Sequence, residues 1–128
     1  MKAQKILVVD DDLPSRMAME KLLQGDGCQI TSCESGVHAI EKLKEESFGI
    51  LITDFQMPGM DGLQLIREAR RVQPEISTVL VTGLAGEEMK LRAMGIEVDK
   101  FFPKPIEWDE LVSFLDFLKR RGKDVVAF

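Results

Sequence analysis

Ile50-Leu51-Ile52-Thr53-Asp54-Phe55-Gln56-Met57-Pro58-Gly59-Met60-Asp61-Gly62 decides the fold. Its first four residues are an apolar, β-branched run with no alternating polar face, the pattern of a strand covered on both sides. A carboxylate ends the run, a Pro-Gly turn follows, and Asp61-Gly62-Leu63-Gln64 has the spacing of a capping box that opens a helix through Leu65, Ile66 and Ala69. Strand, acidic loop and capped helix thus follow one another within a few residues, the unit of a parallel sheet with crossover helices.

The same alternation occurs five times. Strands are expected at Ile6–Val9, Gln29–Ser32, Gly49–Thr53, Thr78–Thr82 and Lys100–Pro103, with the first and third at the centre of the sheet. Between them, Asp12 can cap a helix that carries Pro14 in its first turn and ends at Gly25 and Gly27. A second helix follows Ser35, and the third must stop before Pro74. A weaker helical segment covers about 87–94, and a last helix runs from about Glu107 to Arg121, with Lys119-Arg120-Arg121 in its final turn ahead of Gly122. The pattern predicts an α/β, doubly wound parallel sheet with helices on both faces.

The chain has 128 residues, one domain's worth, and its net charge of -5 opposes direct binding to nucleic acid or to an anionic membrane. Cys28 and Cys33 are the two cysteines, too few for a disulfide framework or a four-ligand zinc site, and the N-terminal apolar run is too short for export or membrane insertion. A reducing, cytoplasmic setting is expected.

In such sheets ligands bind beyond the carboxyl ends of the strands. Strand one ends in Asp10-Asp11-Asp12, strand three in Asp54 and strand four in Thr82, while Lys104 follows strand five. Four aspartates, a hydroxyl and an ammonium are therefore expected on one rim. Carboxylates this close repel and need a cation, for which a hard, oxygen-seeking ion such as Mg2+ fits. Asp54, at the end of a buried strand and seven residues before the nearest cap, is placed as a nucleophile toward a phosphoryl group. Thr82 and Lys104 are positioned to engage the phosphoryl oxygens.

Val8-Val9-Asp10-Asp11-Asp12, Thr53 through Gly62, Val81-Thr82-Gly83 and Phe101-Phe102-Pro103-Lys104-Pro105 together resemble the receiver domain of bacterial two-component response regulators, from Ile6 to about Leu118. The resemblance implies a flavodoxin-like (βα)5 fold with strand order 2-1-3-4-5. It implies a signalling rather than an enzymatic role, beyond the domain's own phosphorylation and dephosphorylation. Asp54 would accept phosphate from a sensor histidine kinase or a histidine phosphotransfer protein. Asp10, Asp11 and Asp54, with the backbone carbonyl of Gln56, would hold Mg2+. Lys104 would pair with the phosphoryl group, with a cis peptide before Pro105, and Thr82 and Phe101 would be the switch pair. The responding surface would be the 87–94 segment, the fifth strand and the last helix, acting on a downstream output domain or protein, with a phosphorylation-dependent homodimer as one outcome. Residues 1–121 would form the receiver, and 122–128 a tail or the start of a linker. The segment from Gly95 to Phe101 is about two residues longer than is usual in the family, Lys100 stands where an acid is common, and Gly83 where Ala or Ser is usual. The alternative is a phosphorylation-independent pseudo-receiver that works as a docking module.

Overall fold

A computed structural model describes residues 4–24, 27–83, 86, 90–91, 95 and 97–127. Five strands, β1 (Gln4–Val9), β2 (Cys28–Cys33), β3 (Ile50–Asp54), β4 (Ser77–Thr82) and β5 (Lys100–Pro103), form one sheet in the order β2-β1-β3-β4-β5. Every neighbouring pair is parallel. The helices are α1 (Leu13–Gln24), α2 (Gly36–Glu45), α3 (Gly62–Val72) and α4 (Trp108–Ala127). Of the weak segment expected at 87–94, Lys90 and Leu91 are described and helical, and the rest lies outside the described residues.

The period-two alternation of the strands assigns each side chain to a layer. Leu7, Val9, Leu51, Leu80 and Phe101 face α2 and α3, where they pack with Ala39, Leu43, Leu65 and Ile66. Ile6, Val8, Ile50, Ile52, Val79, Val81 and Phe102 face the other way, against Met19 and Leu23 of α1 and Leu111 and Leu115 of α4. β1 and β3 have helices on both faces, which is why they lack a polar side. The same parity holds for Asp10, just past β1, and for Asp54, the last residue of β3, so both share the α1/α4 side of the sheet with Val8 and Ile52.

The helix starts follow the capping logic. Ser35 caps α2 by accepting from the His38 amide, and Asp61 and Gln64 complete a reciprocal capping box on α3. Gln73 ends α3 one residue before Pro74, donating its side-chain amide to the carbonyls of Leu43 and Glu46 and accepting from the Phe48 amide. The last helix departs from expectation. Its backbone continues through Gly122 to Ala127, so Lys119, Arg120 and Arg121 precede its final turn. A helical glycine costs about 1 kcal/mol relative to alanine, so Gly122 weakens the helix there without ending it.

Candidate functional site

β1 and β3 are adjacent and in register through Val9 opposite Thr53, so the residues that follow, Asp10 and Asp54, emerge side by side. One carboxylate oxygen from each of Asp10, Asp11 and Asp54 lies within 4.8 Å of the others. Asp10 is 9% exposed and Asp54 8%, so two of the three carboxylates are nearly withdrawn from water. Burial pushes the Asp10 carboxyl above its ordinary value; the charges of Asp54 and Asp11 add to the effect, while the Asp12 amide and Lys104 oppose it. Asp54 is likewise raised by burial, against the hydrogen bond and charge of Lys104. Crowded, desolvated carboxylates of this kind are an all-oxygen donor set suited to a hard divalent cation.

Lys104 reaches the site from the other side. The β5 extension places its Nζ 3.1 Å from Asp54 Oδ2, and its backbone amide donates to the Thr82 carbonyl at 2.9 Å. The Lys104-Pro105 peptide is cis. Thr82 ends β4 and is buried, one residue beyond Val81, the partner of Asp54 in the ladder. Gln56 lies two residues past Asp54 in the loop that also carries Gly59, whose φ of 78° suits glycine. Phe101 is 6% exposed and belongs to the α2/α3 layer.

The expected convergence of four aspartates is corrected to three. Asp12 accepts the Ser15 amide at 3.0 Å and the Ser15 hydroxyl at 2.7 Å, the work of a cap on α1. Those hydrogen bonds hold its carboxyl below the ordinary range. The triplet therefore divides: Asp10 and Asp11 face the site and Asp12 starts the helix.

Two participants escaped the sequence reading. Arg16 donates from Nη1 to the Asp10 carbonyl at 2.7 Å, fixing the first acidic residue against the first turn of α1. Gly62 brings the start of α3 against β3: a Cβ there would stand 2.2 Å from the Asp54 carbonyl oxygen, while its amide donates to the Phe55 carbonyl at 2.8 Å. A glycine directly after an N-cap aspartate was the available signal, and its reason is the close backbone approach.

Among characterised proteins, the chain is 32% identical over 113 residues to the response regulator receiver protein CpdR of Brucella abortus, covering 88% of this chain and 94% of that protein. It is 36% identical over 111 residues to the C4-dicarboxylate transport transcriptional regulatory protein DctD of Rhizobium meliloti, covering 87% of this chain but 24% of that longer relative. Its fold matches a response regulator receiver domain protein from Clostridium thermocellum with a TM-score of 0.85 and 25% identity, covering 95% of this chain and 98% of that one. It also matches the response regulator TrrA of Thermotoga maritima, solved in complex with Mg2+ and BeF, with a TM-score of 0.80 and 29% identity over 90% of this chain and 98% of that one. Among the described residues no helix is long and apolar enough to cross a membrane. Residues 6–116 match the model of the response regulator receiver domain, and with the acidic rim at the carboxyl ends of a 2-1-3-4-5 sheet the chain belongs to that family.

Proposed function

We propose that the chain is the phosphoacceptor of a two-component relay and that Asp54 takes the phosphoryl group. The observation that carries this reading is the Asp54 carboxylate, nearly buried at the end of the central strand, 3.1 Å from Lys104 Nζ and clustered with Asp10 and Asp11. Asp10, Asp11, Asp54 and the Gln56 carbonyl would hold Mg2+, which when bound neutralises charge on the phosphoryl oxygens. One Asp54 oxygen attacks phosphorus as the phosphorus–nitrogen bond to the donor's phosphohistidine breaks, and the bonding pair returns to the imidazole. Lys104, freed from its ion pair with Asp54, donates to the transferred group. The Thr82 hydroxyl supplies a further donor at the end of β4.

A sensor histidine kinase or a histidine phosphotransfer protein is the donor in this reading. Thr82 and Phe101 are the switch pair, and β5 with α4 and the 87–94 segment is the surface that signals to an output domain or protein or to a second copy. The receiver unit spans residues 1–121, and 122–128 is its tail or the beginning of a linker. The domain catalyses its own phosphorylation and dephosphorylation.

The test is incubation with Mg2+ and acetyl phosphate, followed by intact-mass measurement. A phosphoryl increment is expected in the wild type and not in Asp54→Asn. An increment that persists in Asp54→Asn overturns the assignment of the acceptor, and none in either protein favours a phosphorylation-independent docking module.

A further inference from the structure

β2 is an outer strand of the sheet, and it lacks the charge and the proline that usually discourage pairing at an exposed edge. The opposite edge strand, β5, is four residues long, opens on Lys100 and closes on Pro103. β2 is six residues long and reads Cys28-Gln29-Ile30-Thr31-Ser32-Cys33. The Cys33 carbonyl accepts the Asp10 amide, so by the alternation of a parallel ladder Ile30 and Ser32 turn their backbone groups away from β1. Those outward amides and carbonyls have no partner among the described residues. Beside this edge lies a groove of about 260 Å3. Leu13, Met17 and Glu20 line it from α1, Ser32 and Glu34 from the strand and its end, and His38 from α2. Leu13 and Met17 are 54% and 59% exposed, high values for large apolar side chains. Glu20 accepts the Ser32 hydroxyl, and neither Glu20 nor Glu34 takes part in an ion pair among the described residues. Arg16, which also lines the groove, donates to the Asp10 carbonyl instead.

We infer that this edge is a docking site for an extended segment of a partner protein, added to β2 as a further strand and alternating lysine or arginine with β-branched residues. The backbone of the segment would meet the amides and carbonyls of Ile30 and Ser32, the main-chain part of strand addition. The side chains of Ile30 and Ser32 lie on the α1 side of the sheet, where Ile30 packs with the α1/α4 layer and Ser32 reaches Glu20. An added strand therefore presents every second side chain to α1. Cationic side chains suit that side, because their hydrocarbon stems can cover Leu13 and Met17 while their heads reach Glu20 and Glu34. An acidic segment would meet two carboxylates that stand outside any ion pair. A second copy of β2 would bring the same uncharged strand and leave both carboxylates unanswered. The groove contains none of the residues assigned above to the metal or to phosphoryl transfer, so the inference stands whether or not Asp54 is phosphorylated.

The probe is a heptapeptide alternating lysine and valine, acetylated and amidated, with a glutamate-valine heptapeptide as its opposite in charge. Both are titrated into the full chain by calorimetry. The lysine peptide is expected to bind saturably and about tenfold tighter than the glutamate peptide. Amide hydrogen exchange, read residue by residue by NMR, should slow at Ile30 and Ser32 in the complex and barely change at Thr31, which already faces β1. That alternation separates strand addition from charge attraction alone. Ser32→Pro removes an outward amide without touching the β1 ladder and should abolish binding. Glu20→Gln combined with Glu34→Gln keeps the edge and should bring the two peptides to about equal affinity. Equal affinity of the two peptides for the wild type overturns the inference, as do an absence of saturable binding, unaltered exchange at Ile30 and Ser32, full binding by a folded Ser32→Pro variant, and a charge preference that survives the double glutamine variant. A concentration-dependent doubling of mass without peptide, lost in Ser32→Pro, would give the edge to a second copy and overturn it as well.

Discussion

Asp10 shows how one side chain can be costly to the empty fold and still belong there. Burial and the neighbouring charges of Asp54 and Asp11 raise its carboxyl above the ordinary value, so the folded chain holds that proton more tightly than the unfolded chain does. Its contribution to stability is then fully present below the unfolded carboxylate range, about pH 3.9, and is lost as pH rises through the higher folded value. Asp10→Asn keeps a side-chain oxygen for the Asp12 amide and removes the charge. In metal-free buffer near pH 7 it should raise Tm by a few degrees, about 1 kcal/mol in a domain of this size. Thermal melts against pH should show that advantage vanishing toward pH 4, and an advantage that persists undiminished there would locate the gain elsewhere. Gly62 makes the opposite prediction. Gly62→Ala places a methyl 2.2 Å from the Asp54 carbonyl oxygen, a contact with backbone that cannot be relieved by a rotamer. The expected loss is about 2–3 kcal/mol by urea denaturation, and a midpoint within error of the wild type would show that α3 can shift away at no cost.

At the scale of elements, the sheet was legible because buried strands carry their own signature. Ile6–Val9 lies inside β1, Lys100–Pro103 is β5, and the remaining three strands have ends within one residue of those expected. The α3 capping box was legible for the same reason: both partners sit within four residues of each other. What sequence could not display is a tie between distant positions. Asp99, in the segment before β5, accepts the Thr78 amide at 2.7 Å and lies 3.5 Å from Arg70 at the far end of α3, while Arg70 also donates to the Thr78 hydroxyl at 3.0 Å. Residues 70, 78 and 99 share no spacing rule, and nothing in the sequence marked Asp99 as the residue that ties the approach to β5 onto β4. Asp99→Ala leaves the Thr78 amide without its acceptor and should cost about 1–2 kcal/mol. Faster amide hydrogen exchange at Thr78 than at Leu80 is the local signature; uniform acceleration along β4 would mean that the strand opens as a unit.

For the whole molecule, the acidic excess of -5 becomes a statement about place. Three carboxylates are concentrated at one end of the sheet, two of them nearly buried, and a single ammonium is paired there. The fold thus carries a local electrostatic cost that a divalent cation would remove, and any ligand that binds only the folded chain stabilises it by mass action. At a Mg2+ concentration about one hundred times its dissociation constant the gain is about 2.7 kcal/mol, or a Tm increase of about 10 °C for a domain of this size. Asp10→Asn and Asp54→Asn should both lose most of that increase, although Asp10→Asn begins from a higher Tm without metal. The two effects have opposite signs at one residue, so a single set of melts with and without Mg2+ separates them. A substitution that merely damaged packing would lower both curves and keep the interval between them. A residue that holds the ion closes the interval, because the charge that destabilises the empty site is the charge that binds the metal. An interval equal in the wild type and in both variants would place the Mg2+ outside the three-aspartate cluster.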